Sequence, residues 1–400
     1  MLQGICLYLH IHQPWRYRTY SIFDVANNVN YFFDGNYHSK QNNERIFRKV
    51  AEKSYAPMLT LLETALKEHP NFKFSLSITG VWLEQAEMWM PSLVEKLQAM
   101  VASGRVELVA ETYYHSMSYF YCQDEFKAQV KLQLNKFKEL FGVTPKVFRG
   151  TELTYNNSMG KLIESMGFKA CLVEGWDKIL EWRSPNFTYK AAGTKSLKLL
   201  PKNYRLSDDL AFRFSNREWK DWPLTVEKYQ SWLEAATSGP EGNVVNLFMD
   251  FETFGEHQWA ETGIFEFTKH LIESWLVGEN HQFLTVSEAA KRPAVGELSY
   301  PYTVTWADTE RDLSAWMGNR MQDEAMTALY SLRPRILKTG NKELLSDFRR
   351  LTTSDHAYYM CTKYWNDGDV HAYFSAYDSP FDAFMYFLNI LRSLEYRLSS

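Results

Sequence analysis

Cysteine is scarce in this 400-residue chain. Cys6, Cys122, Cys171 and Cys361 stand 116, 49 and 190 residues apart, and none forms a C-x-x-C pair. That spacing points to neither a zinc ribbon nor a disulfide framework. Isolated buried thiols in a reducing, cytoplasmic setting are expected instead. Basic tracts are also missing. The 44 Lys and Arg are outnumbered by 48 Asp and Glu, giving a net charge of −4, which argues against a nucleic-acid partner. No apolar run approaches the roughly 18–20 residues of a membrane span, so no membrane association is expected. The start, MLQGICLYLHIHQP, lacks a basic n-region and a small-residue cleavage site, and reads as a strand. Internal repeats and low-complexity tracts are absent. With 45% hydrophobic and 23% charged residues, the chain has a globular balance that excludes disorder.

Aromatic residues are abundant at 16%: 13 Trp, 24 Tyr and 26 Phe. Such rings stack on sugar C–H faces and on bases, and they also fill ordinary cores. In an acidic chain the sugar is the better candidate. Apolar runs at 4–11, 72–79, 106–110, 146–149, 170–174, 197–200, 244–250 and 283–286 read as buried strands. Helix-like segments lie between them at 55–69, 84–102, 124–141, 156–166 and 261–277. This alternation predicts parallel strands with crossover helices, seven or eight units that suit an α/β barrel or near-barrel. Beyond a Pro- and Gly-bearing junction at 292–309, segments 310–339, 341–363 and 381–397 have helical period. The expected organisation is a catalytic barrel over 1–295 and a helical C-terminal region over 296–400 that completes the cleft. Two aromatic and polar insertions, 15–45 and 203–223, are equally compatible with a ligand wall and with surface decoration.

Polar residues collect at the C-terminal ends of the apolar runs, where barrel enzymes place their chemistry. By the period-two rule Tyr8, His10 and His12 share one strand face, with Leu7, Leu9 and Ile11 on the other. Two histidines pointing into a barrel are hard to explain as packing. Glu84 follows Gly80-Val81-Trp82-Leu83, where a helix-start carboxylate is the simpler reading. Glu111 and His115 follow the strand 106–110 as a pocket wall or a polar loop. Glu152 lies three residues beyond Arg149, whose charge would keep the carboxylate ionised and nucleophilic. A structural ion pair explains that spacing equally. Asp250 and Glu252 share a face at the end of 244–250, with His257 beyond. Burial and mutual repulsion would raise one of the two pKa values and yield a protonated acid near neutral pH. Glu152 and Asp250 arise from different strands and could face each other across the barrel mouth. Carboxylates about 5–5.5 Å apart support retaining glycoside cleavage.

These residues carry a family resemblance. His10-Ile11-His12-Gln13-Pro14, Gly80-Val81-Trp82-Leu83-Glu84, Arg149 through Asn157, and Met249 through His257 resemble, in order, the first four motifs of glycoside hydrolase family 57. Leu284 through Ala289 is similar to the weaker fifth. Trp306-Ala307-Asp308 through Asn319 and Thr353 through Met360 also fit. The resemblance is to the short α-amylase-like members. It implies an incomplete (β/α)7 barrel, double displacement on α-glucosidic bonds, and no required cofactor or metal. It implies Glu152 as nucleophile and Asp250 as general acid/base. His10, His12, Glu84 and His257 would line the sugar subsite, while Trp306, Asp308 and Asp355 would close it from the helical region. Trp82, His115, Arg149, Trp176 and Glu252 complete the expected substrate-binding set.

Two departures matter. Thr151-Glu152-Leu153 replaces a tryptophan-containing third motif and points away from branching enzymes. The large β-sandwich of the longer transferases has no counterpart, which favours hydrolysis over transfer. Two other classes stay open at this point. His10 and His12 could ligate Zn²⁺ with Asp250, His115 or His257, as in deacetylase- or α-mannosidase-like barrels; a catalytic site needs about three protein ligands. A glucan-binding scaffold without catalysis is the other.

Overall fold

The computed structural model describes residues 3–239, 242–363 and 375–399. Residues 364–374 and 400, inside the predicted helical region, lie outside the described residues. The central strand is β1 (Gln3–Ile11). Along one edge it pairs in parallel with β8 (Val244–Asp250), from Gly4 opposite Val244 to His10 opposite Asp250. Its other edge is shared. β9 (His281–Leu284) takes Gln3–Cys6, and β2 (Phe74–Ile78) takes Tyr8–Ile11. β2 continues to β3 (Val106–Leu108). A second sheet runs β4 (Val147–Arg149), β5 (Ala170–Glu174) and β7 (Lys198–Lys202), all parallel. Short strands β6 (Tyr189–Ala191) and β10 (Glu297–Leu298) extend it, β6 antiparallel to β7.

The two sheets close into a ring at two seams. Ala110 bridges Phe148, joining the β3 side to β4. The Asn203 N–H donates to the Asn246 carbonyl at 2.9 Å, joining β7 to β8. Seven parallel strands, β1 to β5 with β7 and β8, thus form the predicted (β/α)7 barrel. β9 wedges into its N-terminal end. The predicted strand 283–286 ends early because Thr285 caps a helix from Val286 with a capping box. β6 and β10 escape sequence reading because Tyr189-Lys190-Ala191 and Glu297-Leu298 form no apolar run.

Strand parity decides what faces where. Leu7, Leu9, Ile11, Leu76, Ile78, Leu247 and Met249 pack outward against the surrounding helices in one core. Cys6, Tyr8, Val109, Val147, Leu172, Leu200 and Phe248 fill the barrel interior. Burying each such side chain contributes roughly 1.5–3 kcal/mol. Moving up the strands, the inward positions turn polar: His10, Ser77, Arg149, Glu174, Lys202 and Asp250.

From Ser314 onward the described residues are helical or irregular. Helices span Arg320–Thr339, Lys342–Leu351 and Pro380–Ser399, with short turns at Ser314–Met317 and Ser354–Tyr358. β10 falls just past the predicted boundary at 295, so the last strand belongs to the far side of it. The insertion 15–45 is largely neither ligand wall nor decoration. Trp15, Tyr17, Tyr20, Tyr31 and Phe32 are buried in one core with the C-terminal helices. The Tyr17 hydroxyl donates to the Ala383 carbonyl at 2.9 Å, and the Tyr377 hydroxyl to the Tyr17 carbonyl at 2.7 Å. The polar end of 15–45 runs into a helix, Asn43–Val50, capped by Asn42.

Candidate active site

His10, Glu111, His115, Arg149, Glu152 and Asp250 converge at the C-terminal mouth of the barrel. β1 delivers His10, the segment after β3 delivers Glu111 and His115, and β4 delivers Arg149. Gly150 follows at once, and a Cβ there would collide with the Thr154 carbonyl oxygen, so only glycine lets the chain turn back so tightly. The turn carries Glu152 at φ 57° and Leu153 at φ 52°, a left-handed pair of non-glycine residues. His115 (φ 51°) and Asp308 (φ 54°) share that conformation. Each costs roughly 1–2 kcal/mol, which neighbouring contacts must offset.

Those contacts are present. Glu152 Oε1 meets His115 Nε2 at 2.9 Å, and Glu152 Oε2 accepts from Trp306 Nε1 at 2.6 Å. His115 Nδ1 meets Glu111 Oε2 at 2.9 Å. His10 Nε2 lies 3.1 Å from Glu111 Oε1, and His10 Nδ1 lies 3.1 Å from Asp250 Oδ1. Arg149 Nη1 stands 3.6 Å from Glu111, and its guanidinium lies over the Trp306 ring, 4.9 Å from the centroid. Glu111 is fully buried, while the side chains of Glu152 and Asp250 stay 22% and 39% exposed.

The electrostatics follow from this packing. Burial acts to raise the Glu152 pKa, but the His115 hydrogen bond and the Arg149 charge outweigh it and hold it below the usual range. Burial opposes Glu111 in the same way, yet His10, His115 and Arg149 hold its carboxyl well below that range. Burial alone would lower His115; its bonds to Glu111 and Glu152 instead raise it to about 9. Asp250 is also held low, against burial, by His10, Arg149 and His257. The raised carboxyl is Glu252, pushed up to about 8 by burial and by Asp250. Glu252 is buried: Tyr55 donates to its Oε1 at 2.5 Å, and the His12 N–H at 3.4 Å.

Several predicted site residues stand elsewhere or act indirectly. Trp82 lies in the outer core, edge-on to Tyr55 at 5.3 Å, because it belongs to the helix Gly80–Trp89 and turns from the mouth. Arg149, fully buried, reaches Glu111 and Trp306 rather than a ligand. His115 is likewise buried behind Glu152. Glu84 accepts from Trp15 Nε1 at 2.9 Å and from Arg350 at 3.0 Å, fastening the insertion and the C-terminal region to the barrel. Trp176 packs beside the core behind β4 and β5 with Lys178 over its ring. Asp308 pairs with Lys363 at 3.2 Å. His257 lies near enough to lower the Asp250 carboxyl. Asp355 does reach the cluster: its Oδ2 is 2.9 Å from His12 Nε2. Thr79 Oγ1 faces His12 Nδ1 at 2.9 Å. Burial and the nearby His115 push His12 down to about 4, so a neutral ring accepts from Thr79 and donates to Asp355.

Glu111 is legible in the sequence only as a polar residue past a strand. Parity from the inward Val109 points it into the barrel, and that is the signal that finds it. The zinc set imagined from the sequence does not assemble, since His12 has both ring nitrogens committed. His10, Glu111 and His115 do bring donor atoms within 4.8 Å of one another. Those donors face each other in hydrogen bonds, beside the fixed cation of Arg149, an arrangement built for protons rather than for a divalent ion.

Comparison with known proteins follows the same lines. Residues 6–304 match the model of glycosyl hydrolase family 57. The chain belongs to that family. A Methanocaldococcus jannaschii protein that bears a provisional alpha-amylase name is 42% identical over 398 residues, covering 96% of this chain and 83% of that one. An alpha-amylase of Pyrococcus abyssi is 24% identical over 232 residues, and this chain spans 33% of its length. Among solved structures, a branching enzyme from Thermococcus kodakaraensis superposes with TM-score 0.67 at 14% identity, over 93% of this chain and 87% of that one. An alpha-amylase from Thermotoga maritima gives 0.64 at 13%, over 100% and 94%. A 4-alpha-glucanotransferase from Thermococcus litoralis gives 0.65 at 17%, over 89% and 56%. These neighbours share the fold; the matched family makes the chain a glycoside hydrolase.

Proposed function

We propose that this family 57 member cleaves α-1,4-glucans, as starch, glycogen or maltooligosaccharides, with retention, as an α-amylase. Glu152 acts as nucleophile and Asp250 as general acid/base. The observation that carries this reading is the two carboxylates from different strands, each bonded to its own histidine and each partly exposed at the barrel mouth. Glu152, ionised and oriented by His115 and Trp306, attacks the anomeric carbon as the glycosidic bond breaks. Asp250 gives its proton to the departing oxygen. It then takes a proton from water, whose oxygen displaces Glu152 and restores the carboxylate. Asp250 is ionised in the free protein. Substrate covering its exposed side would remove water, raise its pKa and let it load a proton. The neutral His12 adds no charge opposing the positive anomeric carbon, and Asp355 lies beyond it. Trp306 and Asp355 reach the cluster from the helical region, so we take 296–400 to complete the cleft. No step in this scheme needs a metal.

Hydrolysis is favoured over transfer because the 42%-identical relative bears an amylase name. Products from maltoheptaose and soluble starch, resolved by length, test this. Short products with rising reducing ends, absent with Glu152→Gln, are expected. Longer and shorter chains together at constant reducing ends would make it a 4-α-glucanotransferase. An inert wild type would overturn the glucan reading and bring back the binding-only one.

A further inference from the structure

Asp250, His10, Glu111, His115 and Glu152 form an unbroken chain of four contacts, at 3.1, 3.1, 2.9 and 2.9 Å. Every contact sets a ring nitrogen against a carboxylate oxygen. Each therefore needs one shared proton, because a nitrogen lone pair facing a carboxylate repels it. Four contacts need four protons. Two neutral imidazoles supply two. The other two make both rings imidazolium, or sit on a carboxyl oxygen facing a ring. In either form the three carboxyls and two rings carry one net negative charge. The buried Arg149, 3.6 Å from Glu111, balances it. Losing one proton breaks a bond between buried groups, which is costly.

Glu111 is the middle of this chain, and both of its oxygens are engaged. Ser77 donates to Oε1, His10 Nε2 lies 3.1 Å from Oε1 and 3.3 Å from Oε2, and His115 bonds Oε2. From this geometry we infer that Glu111 is a positioning residue that holds the His115 proton against Glu152 and orients His10 toward Asp250, and so ties the two carboxylates together. The inference rests on the catalytic roles proposed above, and it assigns Glu111 no contact with substrate. Its effect on His115 is opposed by identifiable groups. Arg149 Nη1 lies 3.5 Å from His115 Nδ1, and the rings of His10 and His12 lie 4.8 and 4.2 Å away between centroids. Glu111 and Glu152, in direct contact, outweigh them; Asp355 adds negative charge beyond His12. Without the charge of Glu111, Glu152 alone would offset Arg149 and those neighbouring rings.

The test follows His115 by NMR in ring-labelled protein, with His115→Gln to assign its signal. In the wild type His115 should titrate near 9. In Glu111→Gln it should titrate below about 7, and the alkaline limb of kcat/KM should fall by about one pH unit or more. A purely structural role would lower activity across the pH range without moving that limb. A wild-type His115 titrating at or below about 7 would overturn the inference. So would an unmoved limb in a folded Glu111→Gln. Should that variant fail to fold, the wild-type titration decides alone. A His115 that titrates near 9 in a protein inert on maltoheptaose would sink the glucan reading and leave the coupling intact.

Discussion

At Glu152 burial and hydrogen bonding pull in opposite directions, and the bonds win. Trp306 supplies one of them, a 2.6 Å bond to the carboxylate, from a residue held between Arg149 and Lys202. A hydrogen bond to a charged group contributes about 1.5–3 kcal/mol. Trp306→Phe keeps much of the ring and deletes the donor, so kcat/KM should fall roughly 10- to 100-fold in a folded variant; a loss under about threefold would show that the bond does little. At Asp250 the expected signature is selective. Asp250→Asn should slow poor leaving groups by roughly 10²–10⁴-fold and activated aryl glycosides less, as acid assistance matters less there. Equal losses for both would remove Asp250 from its role. The pH profile has a definite sign. Glu152 is held low, so activity should persist below the ordinary glutamate range. His115, raised to about 9, loses its proton above that value, so kcat/KM should decline as pH rises through it. A decline centred near 7 would contradict the assignment.

Between elements, buried ion pairs tie the helical region to the barrel. Glu125, fully buried on the helix Gln123–Phe141, bonds Arg333 at 2.8 Å and Arg349 at 2.7 Å. Removing one partner of such a cluster leaves uncompensated charge, at about 3–5 kcal/mol. Glu125→Ala should therefore lower the thermal midpoint by several degrees, read by calorimetry; an unchanged midpoint would mean that the helices dock by apolar contact alone. Strand parity is legible in the sequence because it is a local property, and it suffices to turn His10, Arg149 and Asp250 inward. Glu111 and Glu252 are not separable that way. Both are carboxylates just past strand ends, and only their partners across the barrel distinguish them. The aromatic insertion is opaque for a related reason. Tyr17 packs on Tyr377, some 360 positions away, with ring centroids 4.7 Å apart, and no local pattern reports so distant a partner.

Taken as a whole molecule, the chain places its polar groups at the mouth of the seven-stranded barrel, where Trp306 bonds Glu152 and Asp355 bonds His12. The order of the motifs along the sequence foretells that arrangement, since each lies at the end of a strand. What the sequence leaves open is charge state. The expectation of a raised acid is met at Glu252 and not at Asp250, because His10 reaches Asp250 and only neutral donors reach Glu252. Because the buried donors are paired with one another beside Arg149, activity should survive EDTA. Activity lost on chelation and restored by zinc would reinstate the metal reading. The central claim is a covalent sugar on Glu152, and trapping it is the most direct test. The protein is incubated with 5-fluoro-α-D-glucosyl fluoride, digested, and its peptides are weighed. A glucosyl adduct on the peptide carrying Glu152, absent from Glu152→Gln, is the predicted result. An adduct on another carboxylate, or turnover of the reagent with no adduct at any time, would contradict it.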